Sequence, residues 1–321
     1  MAETWDVLVP REIDPSGPES IADFADCTGM DEYDTVDAAL DDIGRYDAVV
    51  VRVAGLDADV IDRADSLQII AKHGAGLDNV DIDAASRRGV VVCNTPGANS
   101  RSVAEHALSL LFALRRNHRG ADRHVRGGGW DRGAYTGREL TGNTLGLFGF
   151  GAIARETSDL AHGIGQDVLM YDPYVPDDDV PARVERVSEF RDLFARSDAV
   201  SVHAPLTPET RHAISTEELT ALGERGILLN TARGPIVDED ALLEALETDA
   251  LGGAGLDTFE EEPPAEDHPL FGRDDVVLTP HVGGVTEEAL ARMSQRAAAN
   301  VRTVYEGGVP PSTVNRDAVE E

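Results

Sequence analysis

Apolar runs of five to seven residues recur along the chain, separated by polar stretches of turn or helix length. "DVLVP" (6–10), "AVVVRV" (48–53), "QIIAKH" (68–73) and "VVVCN" (90–94) precede residue 95. "TLGLFGF" (144–150), "DVLMYD" (167–172), "AVSVHA" (199–204), "GILLNT" (226–231), "AGLDTF" (254–259) and "VVLTPH" (276–281) follow residue 143. Continuous β-branched runs of this length predict strands buried on both faces. Amphipathic stretches at 101–116, 152–162, 189–195, 238–247 and 286–306 predict the helices that cover them. The expected fold class is α/β, with two doubly wound parallel sheets. A polar, Gly/Arg-rich segment at 120–140 is expected to be a loop. The last long helix follows the second strand group and is read as returning to the first. The first domain is then discontinuous, 1–97 and 286–321, with a second domain, 98–285, inserted into it.

Charge narrows the functional classes. With 28 basic and 60 acidic side chains the net charge is 28 − 60 = −32. That argues against nucleic acid and against anionic membrane surfaces as partners. No run of 18 apolar residues is present, and the N-terminus lacks a basic segment followed by an apolar one, so neither a membrane span nor a secretory leader is expected. The two cysteines, Cys27 and Cys93, have no metal-ligand spacing. No resident metal is expected, and a reducing cytoplasm is the expected location. Lys72 is the single lysine among the 28 basic residues. Near-absence of lysine with dispersed Asp and Glu resembles proteins of salt-accumulating cells. At about 1 M salt the Debye length is about 3 Å and self-repulsion is screened, so the chain is expected to work in molar salt.

One stretch carries cofactor chemistry. In "TLGLFGFGAIARE" a strand leads into Gly149-Phe150-Gly151-Ala152-Ile153-Ala154 and then a helix. In this G-x-G-x-x-A pattern Gly149 permits the tight turn, Gly151 lets a pyrophosphate approach the backbone, and Ala154 allows close helix–strand packing. Amides at the helix start, including those of Ala152 and Ile153, suit phosphate. Asp172 closes the next strand, where a carboxylate accepts from both ribose hydroxyls and repels a 2′-phosphate. A Rossmann-type domain binding NAD rather than NADP is expected.

Three later segments each place a reactive side chain at or just past a strand's C-terminal end, where doubly wound sheets hold ligands. Arg233 follows "LLNTA", Glu262 follows "GLDTFEE", and His281 follows "VVLTP". An arginine, an acid and a histidine beside nicotinamide suit 2-hydroxy acid oxidation. Histidine exchanges the hydroxyl proton, the acid fixes the ring tautomer, and the guanidinium offers a planar fork for the carboxylate. Glu260 and Glu261 are the alternative ring partners within the Glu run.

With "GAGLDNVD", "NTPGANSRSVAEHA", "GFGAIA", "VHAPLTPET", "NTARGPIVDEDAL", "AGLDTFEEEPP" and "TPHVGG", the chain resembles the D-2-hydroxyacid dehydrogenase family over nearly its whole length. The resemblance implies a Rossmann-type NAD domain inserted into a flavodoxin-like substrate domain, and a homodimer formed through the NAD domains. It implies Arg233, Glu262 and His281 as the catalytic set. It places Asp257 near the carboxamide end of the cofactor, and His203, Ala204, Pro205, Thr231, Ala232, Gly283 and Gly284 beside it. The Gly74-Ala75-Gly76 turn is implied to cradle the substrate carboxylate, with Asn79 and Asp81 tying that loop to its domain. Within the family, "GGGWDRGAYTGRELTGNTLG" and "ANSRSVAEHA" look most like the phosphoglycerate dehydrogenase branch. Arg52, Lys72 and Arg132 match the cations that hold the substrate phosphate there. The chain stops at residue 321, so the regulatory domain of many branch members is not expected. Hydroxypyruvate, glyoxylate or other 2-oxo acids are the rival substrates, and a non-catalytic NAD-sensing scaffold is a remote alternative class.

Overall fold

The computed structural model describes residues 4–320. It divides into two compact units, one running up to Asn99 and resuming at Val285, the other Ser100–Gly284.

In the first unit β1 (Trp5–Leu8), α1 (Ser16–Ile21), β2 (Ala25–Thr28), α2 (Val36–Asp41), β3 (Ala48–Val51), α3 (Ala58–Asp62), β4 (Ile69–Lys72), α4 (Ile82–Arg87) and β5 (Val91–Cys93) alternate. All strand pairs are parallel, in the order β2-β1-β3-β4-β5, the flavodoxin-like pattern. The runs at β3, β4 and β5 are buried at every position, because helices cover both sheet faces. Asp57 and Asp81 cap α3 and α4 by accepting the amides of Val60 and Ala84, which fixes where each strand-to-helix loop turns.

The second unit begins with α5 (Ser100–Arg115) and α6 (His118–Arg126). It continues through β6 (Thr144–Phe148), α7 (Ala152–Gly163), β7 (Asp167–Tyr171), β8 (Val184–Arg186), α8 (Phe190–Ala195), β9 (Ala199–Val202), α9 (Thr216–Leu222), β10 (Ile227–Asn230), α10 (Glu239–Glu247), β11 (Gly253–Leu256) and β12 (Val276–Leu278). Its seven strands are ordered β12-β11-β10-β9-β6-β7-β8. This is the Rossmann order with one strand added, and its direction reverses between β6 and β9. After Gly284 the chain returns to the first unit as α11 (Glu287–Tyr305) and α12 (Arg316–Val319). There Ser294 Oγ donates to the carbonyl of Asp14 at 2.6 Å, and the buried Asn315 side chain serves both the Val92 amide and the Val90 carbonyl at 2.9 Å.

β2, β8 and α6 depart from the hydrophobic reading, and the short helices α1–α4, α9 and α12 lie outside the stretches it marks. β2 and β8 are absent from it because they are edge strands with exposed polar positions, "ADCT" and "VER". The segment at 120–140, expected as loop, contains most of α6. That helix buries no residue. It is docked by arginines instead: Arg119 donates to the carbonyls of Arg273 and Val276 at 2.8 Å, and Arg123 pairs with Asp274.

Candidate active site

The register of the second sheet lines up the loops that carry chemistry. Phe148 pairs with Val202, Asn230 with Val202 and Leu256, and Leu256 with Leu278. The residues leaving β6, β9, β10, β11 and β12 therefore emerge side by side along one edge. At the switch point Gly149 adopts φ +87°, and a Cβ there would lie 2.7 Å from the Ala204 amide nitrogen. Only glycine fits both the left-handed turn and the approach of the His203 segment.

A dinucleotide fits this edge. A Cβ on Gly151 would meet nothing within 4 Å, and no side chain caps the start of α7, which leaves its first amides without a side-chain partner. Ala154 is fully buried against the sheet. Asp172 accepts the amides of Phe150 and Tyr174 at 2.8 and 2.9 Å, which places its carboxylate beside the glycine turn. Thr231 Oγ1 and His203 Nε2 are shielded from solvent without a hydrogen-bond partner among the described residues. Such orphaned polar atoms require an explanation, and a bound polar ligand supplies one. Burial pushes the His203 imidazole down to about 4, so it stays neutral.

The acid–base pair lies further along the same edge. His281 Nδ1 meets Glu262 Oε2 at 2.8 Å, while Glu260 is taken by His212. The alternatives within the Glu run therefore resolve to Glu262. Its other oxygen accepts the Phe259 amide at 3.1 Å. The hydrogen bond that His281 donates to Glu262 raises the His281 pKa above the ordinary imidazole value, against burial and the nearby Arg233 charge. Burial pushes the Glu262 carboxyl up, but the bond and charge of His281, the Phe259 amide and the Arg233 charge together outweigh it, and the net shift is downward.

His281 sits at φ +52°, unusual for a residue with a Cβ. Asp257 holds it there. The Asp257 carbonyl accepts the His281 amide at 2.8 Å, and its buried carboxylate accepts Val282 N and Gly283 N at 2.8 Å and Thr279 Oγ1 at 2.6 Å. His106 on α5 reaches Thr279 Oγ1 at 2.9 Å and Asp257 Oδ1 at 3.4 Å. Both oxygens of Asp257, expected near the cofactor carboxamide, are thus engaged within the protein. The share of His106 and Thr279 in this cluster was not read from the sequence; only the strand-end position of Thr279 beside Pro280 hinted at it.

Arg233 is set by a turn. Asn230 Oδ1 accepts the Ala232 amide at 3.0 Å and Asn230 Nδ2 donates to the Arg233 carbonyl at 2.9 Å. Gly234 lets that turn touch the acid loop, since a Cβ there would lie 1.8 Å from the Phe259 carbonyl oxygen.

In the first unit the Gly74–Gly76 turn is laced to the end of β5. Gly74 N donates to Thr95 Oγ1 at 3.0 Å, and Asn94 Nδ2 donates to the Ala75 carbonyl at 2.8 Å. Lys72 is buried, and its ammonium donates to the Arg52 carbonyl at 2.6 Å and to Asn79 Oδ1. Asn79 Nδ2 reaches the Ala54 carbonyl at 2.5 Å. The lysine thus joins the loop carrying Arg52 to the loop carrying Asn79. Arg132 lies in the second unit, exposed, beyond α6.

A glycine turn opening a helix, a strand-end carboxylate and an acid–imidazole pair along one Rossmann edge define a dinucleotide-dependent dehydrogenase. Residues 108–283 match the model of the D-isomer specific 2-hydroxyacid dehydrogenase NAD binding domain, and the chain belongs to that family. It is similar to the D-3-phosphoglycerate dehydrogenase of Methanocaldococcus jannaschii, 38% identical over 299 residues, covering 92% of this chain and 56% of that one. It is 43% identical over 254 residues to the hydroxypyruvate reductase of Thermotoga maritima, covering 78% and 82%. The crystal structure of the TT0316 protein from Thermus thermophilus superposes with a TM-score of 0.88 at 34% identity, covering 96% and 99%. The chain spans little more than half the length of the phosphoglycerate dehydrogenases it matches.

Gly234→Ala is expected to destabilise the second unit by about 3 kcal/mol, the upper end for overpacking, because backbone rather than a flexible side chain blocks the new methyl. Denaturant unfolding measures it.

Proposed function

We propose that the protein is an NAD-dependent D-2-hydroxyacid dehydrogenase whose preferred reaction interconverts D-3-phosphoglycerate and 3-phosphohydroxypyruvate. The observation that carries the reaction type is the 2.8 Å contact between His281 and Glu262, within the field of Arg233. Glu262 occupies Nδ1, which leaves Nε2 to face substrate. In oxidation neutral His281 accepts the C2 hydroxyl proton as the C2 hydride departs and the carbonyl forms; in reduction the imidazolium returns that proton. Bound NAD supplies the hydride acceptor or donor. Arg233 binds the carboxylate with its planar fork and polarises the carbonyl oxygen. Gly149, Gly151, Ala152, Ile153, Asp172, His203, Ala204, Pro205, Thr231, Ala232, Gly283 and Gly284 would line the cofactor. Asp257 fixes the 279–283 turn, which would lie near the carboxamide end of the cofactor. The Asp172 carboxylate, an acceptor only, favours NAD over NADP.

Arg52, Lys72 and Arg132 are the proposed phosphate-binding cations, and the Gly74-Ala75-Gly76 turn binds the carboxylate. Lys72 adds its charge while fixing the Arg52 carbonyl. The similarity to phosphoglycerate dehydrogenases supports this substrate. A second reading, hydroxypyruvate or glyoxylate reduction, is favoured by relatives of comparable length, since the match covers 82% of the Thermotoga reductase and 80% of a Thermofilum pendens glyoxylate reductase. Exposed Phe112, Val125, Trp130 and Phe271 in the second unit support a homodimer through the NAD domains. The free cysteines and the acidic surface support a cytoplasm rich in salt.

A panel of 2-oxo acids with NADH tests the reaction class, and absence of turnover for every member contradicts it. Arg52→Ala is expected to raise KM for 3-phosphoglycerate by at least about tenfold, the loss of one charged hydrogen bond, with glyoxylate reduction nearly unchanged. Equal effects on both substrates contradict the phosphate role. Dialysis from molar KCl into dilute buffer is expected to lower the melting temperature by several degrees, because the exposed carboxylates lose their screening. An unchanged melting curve contradicts salt adaptation.

A further inference from the structure

The loop carrying Glu262 is held by imidazole–carboxylate contacts that the proton transfer itself does not use. Glu239, the first residue of α10, turns away from its helix. Its Oε1 accepts the Glu260 amide at 2.7 Å, and its Oε2 lies 3.1 Å from His268 Nε2. Both side chains are largely buried, 14% and 15% exposed. His268 Nδ1 accepts the Leu270 amide at 3.4 Å, which leaves the ring hydrogen on Nε2, aimed at Glu239. Helix capping does not explain Glu239, because Asp238 already caps α10 by accepting the Ala241 amide. Surface solvation does not explain it either, since taking a carboxylate out of water is unfavourable unless its oxygens are matched. Both oxygens are matched here, one by the backbone of the acid loop.

The Glu260 side chain is held in turn by His212. Phe259, one residue earlier, packs against Gly234 and gives its amide to Glu262 Oε1. The backbone at 259–260 is thereby fixed from α10, from the His212 turn and from the Arg233 turn. Glu262 follows two residues later, with its Oε2 on His281.

We propose that Glu239 and His268 are positioning residues that set Glu262 against His281 through the Glu260 amide. His268 orients Glu239, Glu239 fixes the loop backbone, and the loop delivers the carboxylate to Nδ1. This rests on the reading of His281 as the proton-transfer group. The charges facing His281 are Glu262, Asp257 and Arg233; those facing Glu239 are His268 and, across the Glu260 backbone, the Glu260–His212 pair.

The test is an NMR titration of the His281 ring in ligand-free, histidine-labelled enzyme, with steady-state kinetics alongside. Glu239→Ala is expected to lower the His281 titration midpoint toward that of Glu262→Ala. It should also reduce kcat for 2-oxo acid reduction about tenfold, a fraction of the roughly 10²–10⁴-fold that general acid–base catalysis contributes, with KM within about twofold. Glu239→Gln keeps an acceptor oxygen for the Glu260 amide but turns an amide NH2 toward the His268 Nε2–H, so its midpoint and kcat should fall between those of the wild type and Glu239→Ala. His268→Phe preserves ring packing against Phe259 and Phe271 and should shift the midpoint in the same direction as Glu239→Ala. A wild-type midpoint in both Glu239→Ala and His268→Phe overturns the proposal. So does a Glu239→Gln midpoint equal to that of Glu239→Ala, which assigns the effect to charge rather than position. The titration needs neither cofactor nor substrate. Failure of the dehydrogenase reading shows instead as absent turnover of the wild-type enzyme on the 2-oxo acid panel.

Discussion

The Asp257 carboxylate, buried at the end of β11, accepts hydrogen bonds from the Thr279 hydroxyl and from the amides of Val282 and Gly283. Burial pushes its pKa up, and the donors from His106, Thr279, Val282 and Gly283 outweigh that and hold it down. It therefore stays ionised, with both oxygens committed. The 279–283 turn has no regular structure of its own and depends on this anchor. The anchor also accounts for the left-handed backbone of His281, since such a conformation persists only where the surroundings over-determine it. The proposed proton transfer depends on where this turn holds the ring.

Around that anchor the second unit fixes each reactive group by short local contacts rather than by long side chains reaching in from afar. Asn230 shapes the Arg233 turn, Gly234 lets it touch the acid loop, and the Phe259 amide orients Glu262. Preorganised groups of this kind need little rearrangement when charge moves during reaction. The first unit applies the same economy with a cation. The buried Lys72 ammonium joins two loops through the Arg52 carbonyl and Asn79. An arginine's planar fork presents its donors in a different geometry, a physical reason for lysine at this one position in a chain otherwise using arginine.

Much of this was legible in the sequence because parallel sheets covered on both faces leave long apolar runs, and strand ends are where ligands sit. The ten apolar runs mark ten strands, and Arg233, Glu262 and His281 were found by their place just past three of them. What escaped was set by tertiary contacts. β2 and β8 are edge strands with too little apolar patterning to stand out. α6 is held by arginine donors to backbone carbonyls, which no hydrophobic period records. Glu262 is already the ring partner the sequence favours, and the structure adds the reason Glu260 is not: His212 occupies it. Asn79 and Asp81 tie their loop down as expected, through the Ala54 carbonyl and the cap of α4.

The central claim is that His281 exchanges the substrate proton with its basicity set by Glu262. The pH dependence of kcat/KM for NADH-driven 2-oxo acid reduction, in wild type and Glu262→Gln, tests it most directly. Reduction needs the imidazolium, so the wild-type rate should fall as pH rises through the raised His281 pKa. In Glu262→Gln that fall should move to lower pH. A profile with no such limb, or one that Glu262→Gln leaves in place, contradicts the account.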